Sequence, residues 1–254
     1  MSRKKILILS ANPQDTDRVR LDLEVREIEK SIQRSQNRSE FEIATKWAVQ
    51  VDDLRHALLD YKPNIVHFCG HGSGSSGLVL ENSLGQSQLV STESLARLFK
   101  FFQKTIECVL LNACYSEVQA EEIHQYINYV IGMNEAIGDT AAIKFAIGFY
   151  DALGAGNTYR QSFEHGCNLV ELVGIPESQT PQLKIRPYVQ ANWQYYEHPF
   201  YSLGRTLSEM EQEAANLHCR QIYDELVAQG LVEGGARHIW AHLDFGQCVY
   251  NKWI

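Results

Sequence analysis

Short apolar runs recur along the first 190 residues, each bounded by turn residues or by stretches with helical spacing. Runs of four to eight apolar residues are typical of buried strands. A further pair of runs, residues 78–81 and 88–90, predicts a hairpin at the edge of a sheet. The six main strands are predicted at residues 5–10, 41–49, 65–71, 106–112, 129–133 and 184–189.

Between these runs, apolar residues recur at three- and four-residue spacing, which is typical of amphipathic helices. Strands that alternate with helices favour right-handed crossovers and a mainly parallel sheet covered on both faces. We therefore predict one α/β domain over residues 1–190. Its helices are predicted at residues 17–35, 52–61, 92–102 (with Ser91 as N-cap), 117–126, 139–153 and 159–173.

The composition changes at about Ala191, where aromatic residues become frequent and periodicity is lost. The spacing of apolar residues predicts one amphipathic helix over residues 207–228, and the remainder of the chain shows no clear pattern. The segment 191–254 is therefore predicted to be a small, mostly helical C-terminal segment that packs against the core, because about 60 residues bury little surface alone.

Candidate chemistry lies just after two of the predicted strands. His71 ends the run that begins at Ile65, and Cys114 follows the run Val109–Asn112, 43 residues after His71. The carboxyl ends of strands in an α/β sheet meet at one edge, where ligands bind. Because a free thiol is mostly protonated at neutral pH, a nearby imidazole is its usual activator. The sequence thus predicts a Cys-His dyad.

Three blocks in order carry a family resemblance: Phe68–Gly72, Leu110–Ser116, and Val130–Met133 followed by Asp139. Together they resemble CHAT-domain proteins, a caspase-like and separase-like branch of the clan CD cysteine peptidases. The resemblance covers residues 3–175. It implies a caspase-like three-layer sandwich and a cysteine endopeptidase that needs no cofactor.

The resemblance also implies roles for single residues. Cys114 would be the nucleophile, and His71 would transfer the proton to the leaving amine. The N–H groups of Gly72 and Cys114 would form the oxyanion hole. Asn112, two residues before the nucleophile, matches a position that lines the S1 pocket, and Asp139 matches an acidic position of the family.

Several of these residues have alternative interpretations. Asp139 could instead cap its helix, and Gly72 could simply permit a positive φ. Asp15 and Asp17, after the first strand, lie where caspases place another S1 residue. His67, inside its apolar run, is predicted to be a buried, hydrogen-bonded histidine. Among the other thiols, Cys69 lies too early for the sheet edge, and Cys108 and Cys167 are expected in the core.

His238 and His242, four residues apart with Cys219 and Cys248 nearby, could form a zinc site, but their spacing fits no standard zinc pattern, so no metal is expected. No phosphate-binding glycine motif is present in the sequence, and the net charge of −8 argues against a nucleic-acid partner. No run is long enough to cross a membrane. We expect a cytoplasmic, bacterial protein with reduced cysteines.

The expected partners are a protein substrate and a regulatory protein, because CHAT-like domains generally occur as effectors attached to sensor modules. The glycine-rich stretch 72–77 is predicted to be flexible, which would allow a partner to order it. The alternative is an interaction or adaptor module that kept the fold with a catalytically silent dyad.

Overall fold

The structure is a computed structural model that describes residues 3–186 and two later strands. Its centre is a six-stranded sheet in the order β2-β1-β3-β7-β8-β9, parallel except for the last pair. The strands of this sheet are β1 (Lys4–Ser10), β2 (Phe41–Lys46), β3 (Ile65–Cys69), β7 (Cys108–Asn112), β8 (Tyr129–Met133) and β9 (Pro181–Ile185).

Six helices cover the two faces of this sheet. They are α1 (Leu21–Arg34), α2 (Val51–Tyr61), α3 (Thr92–Phe101), α4 (Glu117–Ile123), α5 (Asp139–Gly154) and α6 (Tyr159–Leu172). Helices α2, α3 and α4 share one apolar core with the sheet, and α1, α5 and α6 share the other. The predicted three-layer α/β sandwich is confirmed.

Strand β1 shows why the central runs are apolar throughout rather than alternating. Ile6 and Ile8 face the core under α1 and α5, whereas Leu7 and Leu9 face the core under α2 and α3. Successive side chains of a strand point to opposite faces. A strand buried on both sides therefore favours apolar residues at successive positions and not at alternate ones.

A second, three-stranded sheet lies beside the first and corrects two details of the prediction. Strand β3 ends at Cys69, and His71–Gly72 forms a separate short strand, β4. This strand pairs antiparallel with β5 (Leu78–Glu81), which pairs with β6 (Ser87–Val90). The predicted hairpin is therefore present, but it belongs to the sheet that contains His71 and not to the main one.

The loop between β4 and β5 is held in place, contrary to the predicted flexibility. Ser73 N–H donates to Gly77 O at 2.9 Å. The buried side chain of Gln119 donates from Nε2 to Gly74 O at 2.8 Å. Gly74 and Gly77 have φ of 54° and 128°. Residues that carry a side chain rarely adopt such values, so these two glycines permit the tight turn.

The other differences concern boundaries and the end of the chain. Strand β9 spans Pro181–Ile185, so it begins three residues before the predicted start at residue 184, and residues 187–189 of that prediction lie outside the described residues. Proline is tolerated there because β9 is at the edge of the sheet and Pro181 is its first residue. Residues 186–254 form a separate unit. Within it, β10 (His238–Asp244) and β11 (Gln247–Lys252) pair antiparallel, whereas the sequence predicted no strand there. The helix predicted at residues 207–228 lies outside the described residues. Within the described part, no helix is long and apolar enough to cross a membrane.

Candidate active site

The register between β3 and β7 brings the two predicted catalytic residues together. Cys69 of β3 lies opposite Asn112 of β7, and Gly70 N–H continues the pairing by donating to Asn112 O at 3.3 Å. His71 and Cys114 each follow this pair by two residues. Both therefore emerge at the carboxyl edge of the sheet, as predicted.

His71 and Cys114 line one pocket at this edge together with Asn112 and Asp139, two residues predicted to bind substrate. The remaining wall residues come from the start of α1, the start of α5 and the loops before them, and from the residues that directly follow β3 and β7. They are Val19, Arg20, Leu21, Glu24, Gly70, Ala113, Ile137, Ala142 and Ile143.

The turn that carries Cys114 is rigid. Tyr115, the next residue, has a positive φ of 56°, which is strained for a residue with a side chain. Buried Ser116 anchors the turn, because its hydroxyl donates to Leu111 O at 2.8 Å and accepts from Met133 N–H at 3.0 Å. Cys114 itself is half-buried, with Sγ 3.8 Å from Ile137 O. A half-buried thiol on a fixed turn can meet both substrate and base.

His71 is half-buried, with its Nε2 3.3 Å from Asn12 Oδ1. Burial lowers the pKa of His71 below its usual value, and the charges of Asp17 and Asp139, with the carbonyl of Asp17, oppose this shift. A lowered pKa keeps the imidazole neutral at neutral pH. The ring can then accept a proton, as a general base must.

Gly72 does not line the pocket, but it packs directly against the nucleophile. A Cβ at this position would overlap the carbonyl oxygen of Cys114. This close approach therefore requires glycine. The alternative interpretation, that Gly72 permits a positive φ, does not apply, because φ at Gly72 is not positive. The role of Gly72 N–H as an oxyanion donor stays a prediction.

Asn112 is nearly fully buried at the base of the pocket. Its Nδ2 donates to Glu24 Oε1 at 2.6 Å and to Ala142 O at 3.2 Å. Its Oδ1 is buried without a hydrogen-bond partner. An unpartnered buried acceptor in a pocket wall is costly unless a ligand satisfies it.

Glu24 extends the hydrogen bonds of Asn112 further into the core. Its Oε1 also lies 2.8 Å from Nε2 of fully buried His67, whose Nδ1 lies 3.1 Å from the hydroxyl of Tyr150. A carboxylate only accepts, so His67 Nε2 carries a hydrogen, and Nδ1 shares a second hydrogen bond with the Tyr150 hydroxyl. The interpretation of His67 as a buried, hydrogen-bonded histidine is confirmed.

Glu24, His67 and Cys69 are also the described residues whose grouping could hold a metal ion. Their donor atoms lie within 4.8 Å of one another, and all three residues are buried. Three donors fall short of the four in a structural zinc site. Hydrogen bonds between Glu24, His67 and Tyr150 already satisfy this group, so it is explained without a metal.

Asp139 is the first residue of α5 and not its cap. The N-cap is Gly138, whose N–H donates to Glu177 Oε2 at 2.7 Å. The carboxylate of Asp139 instead accepts from Arg20 N–H at 3.2 Å and lines the pocket. The capping interpretation is therefore wrong, and the interpretation as a pocket residue is compatible with the geometry.

The two acidic residues after β1 lie in different surroundings. Asp15 accepts from the N–H and hydroxyl of Ser87, both at 2.8 Å, which lowers the pKa of Asp15. Asp15 therefore holds the β6 end of the hairpin and is not a wall of the pocket. Asp17 acts on His71 through its charge.

Two residues of the site do not follow from the sequence pattern. Asn12 lies in the turn after β1, at the same edge as His71 and Cys114. Glu24 lies on the buried side of α1, beside Val25 and one turn before Ile28, both buried. An acidic residue on the apolar face of a helix is the signal that could have revealed Glu24.

The fold and the site define a class: a mainly parallel α/β sandwich of the caspase-like cysteine peptidase type, with a thiol and an imidazole at the carboxyl edge of its sheet. The family model of the CHAT domain matches residues 1–165, and the chain belongs to this family. The family resemblance expected from the sequence is confirmed.

Similar proteins agree with this assignment. A "Roc-COR-CHAT protease" from an unknown prokaryotic organism is 29% identical over 157 residues, which are 59% of this chain and 15% of that protein. A "Probable protease" from Gillisia limnaea is 26% identical over 167 residues, 65% of this chain and 29% of that protein. The chain thus spans less than a third of the length of these relatives.

Among solved structures, a secreted C11 cysteine protease from Bacteroides thetaiotaomicron in complex with an irreversible peptide inhibitor has the same fold, with a TM-score of 0.56 and 13% identity. The alignment covers 99% of this chain and 90% of that one. A second structure of a secreted C11 cysteine protease from this organism gives a TM-score of 0.50 at 10% identity.

The contact between Gly72 and Cys114 yields a first prediction. In Gly72→Ala, the added Cβ must displace the Cys114 carbonyl, so the nucleophile moves. A displacement of ~1 Å costs about 100-fold in rate at a reactive centre. We expect alkylation of Cys114 by iodoacetamide, followed by intact-protein mass spectrometry, to slow by about this factor.

The matched control is Gly174→Ala. Gly174 has φ of 75° and open space around it, so alanine there is strained by about 1–2 kcal/mol without touching the site. This control should lose stability and keep the alkylation rate. Equal alkylation rates in Gly72→Ala and the unmodified chain would contradict the assigned contact.

Proposed function

We propose that this chain is a cysteine endopeptidase that cleaves a protein substrate through the dyad of Cys114 and His71. The single observation that carries the proposal is the shared pocket. A half-buried thiol and a half-buried imidazole with a lowered pKa line it together at the carboxyl edge of the sheet. The CHAT family and the names of the relatives support a peptidase reaction.

In the proposed mechanism, His71 takes the proton of Cys114, and the thiolate attacks the scissile carbonyl carbon. The S–C bond forms while the carbonyl electron pair moves to oxygen, where the N–H groups of Gly72 and Cys114 stabilise the charge. His71 then gives its proton to the leaving amine as the C–N bond breaks. Water attacks the thioester with its proton passing to His71, and departure of the thiol releases the carboxylic acid.

Substrate choice is proposed to favour a cationic P1 side chain. The pocket contains the carboxylates of Asp139 and Glu24, and the Asn112 Oδ1 acceptor has no partner. Each of these three groups accepts hydrogen bonds, and an arginine or lysine side chain offers only donors. Arg20 is a cation on the same wall, and it holds Asp139 through its backbone N–H.

Control by a regulatory protein is also part of the proposal. One relative is named for Roc and COR parts in addition to its CHAT protease, and this chain corresponds to 15% of its length. The described loop after His71 is already ordered, so loop disorder does not support this control. The family context alone supports it.

Replacement of the nucleophile tests the reaction itself. We expect Cys114→Ala to lose at least about 1000-fold in cleavage of a fluorogenic peptide library, the scale for removal of a catalytic nucleophile. The matched control, Cys167→Ala, removes another incompletely buried thiol and should leave cleavage unchanged. Equal turnover by the Cys114→Ala protein would overturn the mechanism, and no turnover by the unmodified chain under any condition would favour the silent adaptor module.

The P1 proposal is tested by Asp139→Asn, which keeps the shape of the residue and removes its charge. Preference for Arg or Lys over an apolar P1 residue should fall about 10- to 100-fold, as expected for ~1.5–3 kcal/mol from a hydrogen bond to a charged group. Asp151→Asn is the matched control, since Asp151 lies in the same helix and pairs with Arg34 at the surface. An unchanged P1 profile in Asp139→Asn would refute the proposal.

Regulation is tested by comparing the isolated chain with the same chain co-expressed with the products of its neighbouring genes. Because a partner is proposed to complete the active state, the isolated chain should cleave the peptide library slowly, and co-expression should raise the rate. Full turnover by the isolated chain, unchanged by any neighbouring product, would contradict control by a partner.

A further inference from the structure

We propose that Asn12 is a positioning residue for His71, so that the proposed dyad functions as a Cys-His-Asn triad. This inference rests on the proposed function. The distance between His71 Nε2 and Asn12 Oδ1 is 3.3 Å, within hydrogen-bonding range. Asn12 lies two residues after the end of β1, the strand that pairs with β3, so the same sheet edge presents Asn12, His71 and Cys114.

Two further contacts determine which way the Asn12 amide faces. Its Nδ2 donates to Val19 O at 3.2 Å, and its Oδ1 accepts from Val19 N–H at 3.5 Å. A flipped amide would place donor against donor and acceptor against acceptor. The oxygen of Asn12, and not the nitrogen, therefore faces the imidazole.

This orientation selects one tautomer of neutral His71. Oδ1 can only accept, so His71 Nε2 must carry the hydrogen, and Nδ1 keeps its lone pair. The lone pair at Nδ1 is then available to take the proton of Cys114. The backbone carbonyl of Asp17 is a second acceptor that acts on this imidazole, so Asn12 helps to set the ring orientation and the tautomer without touching the reacting atoms.

Asn12 is itself firmly held. Its N–H donates to Glu81 Oε1 at 2.9 Å, and Glu81 N–H donates to Val49 O at 2.9 Å. Glu81 belongs to β5, which pairs with the strand that contains His71. The acceptor and the imidazole are thus attached to the same small sheet, which preserves their distance.

Asn12→Asp and Asn12→Leu form a matched pair for the test. Both are close to asparagine in size, and both lose donation to Val19 O, but only aspartate retains an acceptor for His71 Nε2. Aspartate also keeps the acceptor for Val19 N–H and adds a negative charge beside His71, so the tautomer reports on the acceptor, and the pH profile reports on the acceptor and the charge together. The charged groups facing His71 (Asp17 and Asp139, with Arg20 and Glu24 on the pocket walls) are unchanged in both.

The direct measurement is the tautomer of His71 by long-range ¹H–¹⁵N NMR of the histidine-labelled chain. The unmodified chain and Asn12→Asp should show hydrogen at Nε2, and Asn12→Leu should show a mixture of the two tautomers. Hydrogen at Nδ1 in the unmodified neutral chain would overturn the proposal, and this result needs no variant. If Asn12→Leu does not fold, Asn12→Ala replaces it.

The second measurement is the pH dependence of Cys114 alkylation by iodoacetamide. Asn12→Leu should alkylate about 10- to 100-fold more slowly at neutral pH, part of the roughly 100- to 10,000-fold that a positioned acid–base group supplies. The acid limb of its pH profile, which reports protonation of His71, should move to lower pH, because the imidazolium loses a partner and the pKa of His71 falls. Asn12→Asp stabilises the imidazolium and raises the pKa of His71, so its acid limb should move to higher pH.

The outcomes separate the two proposals. Identical tautomers and identical pH profiles in Asn12→Leu and Asn12→Asp would overturn the role of Asn12. Alkylation of Cys114 no faster than that of Cys167 in the unmodified chain would instead contradict the dyad. The tautomer measurement would still decide whether Asn12 orients His71.

Discussion

The alignment of β3 with β7 is the constraint on which the rest of the site depends. Cys69 lies opposite Asn112, so the chain leaves both strands at the same height. A shift of one residue between the two strands would move the side chains of one strand to the opposite face and separate His71 from Cys114. The polar side chains of His67 and Asn112 fix the alignment, because a one-residue shift would carry one of them away from Glu24 and into the opposite, apolar core.

A cluster of hydrogen-bonded polar side chains crosses the core next to the pocket. Glu24 of α1, His67 of β3, Asn112 of β7 and Tyr150 of α5 are joined by hydrogen bonds of 2.6–3.1 Å. Removal of one member would leave buried partners unsatisfied, at a cost of about 1–3 kcal/mol for each group. Four elements are thereby fixed relative to one another at the place where the walls of the pocket must keep their distances. Apolar packing alone is less directional.

The extent of prediction from sequence follows from the kind of information each residue carries. Strand β8 was predicted at its observed bounds, because a fully buried strand is a continuous apolar run between turns. The sequence placed His71 and Cys114 by the same logic. Asn12 and Glu24 were not found, because their roles depend on what faces them across the fold. Local pattern cannot distinguish a turn asparagine from one that faces an imidazole, nor a solvated glutamate from one that faces a pocket.

The thiols of the described chain differ through their solvation. Burial raises the pKa of Cys69 and of Cys108, and it raises the pKa of the half-buried Cys167 to about 12. These three groups therefore stay protonated, and a protonated thiol is a poor target for electrophiles and oxidants. Among the described residues, chemical damage or inhibition from solvent is consequently directed to Cys114. The fold that would expose the proposed nucleophile to substrate also makes Cys114, among the described thiols, the one that an oxidising environment would modify first.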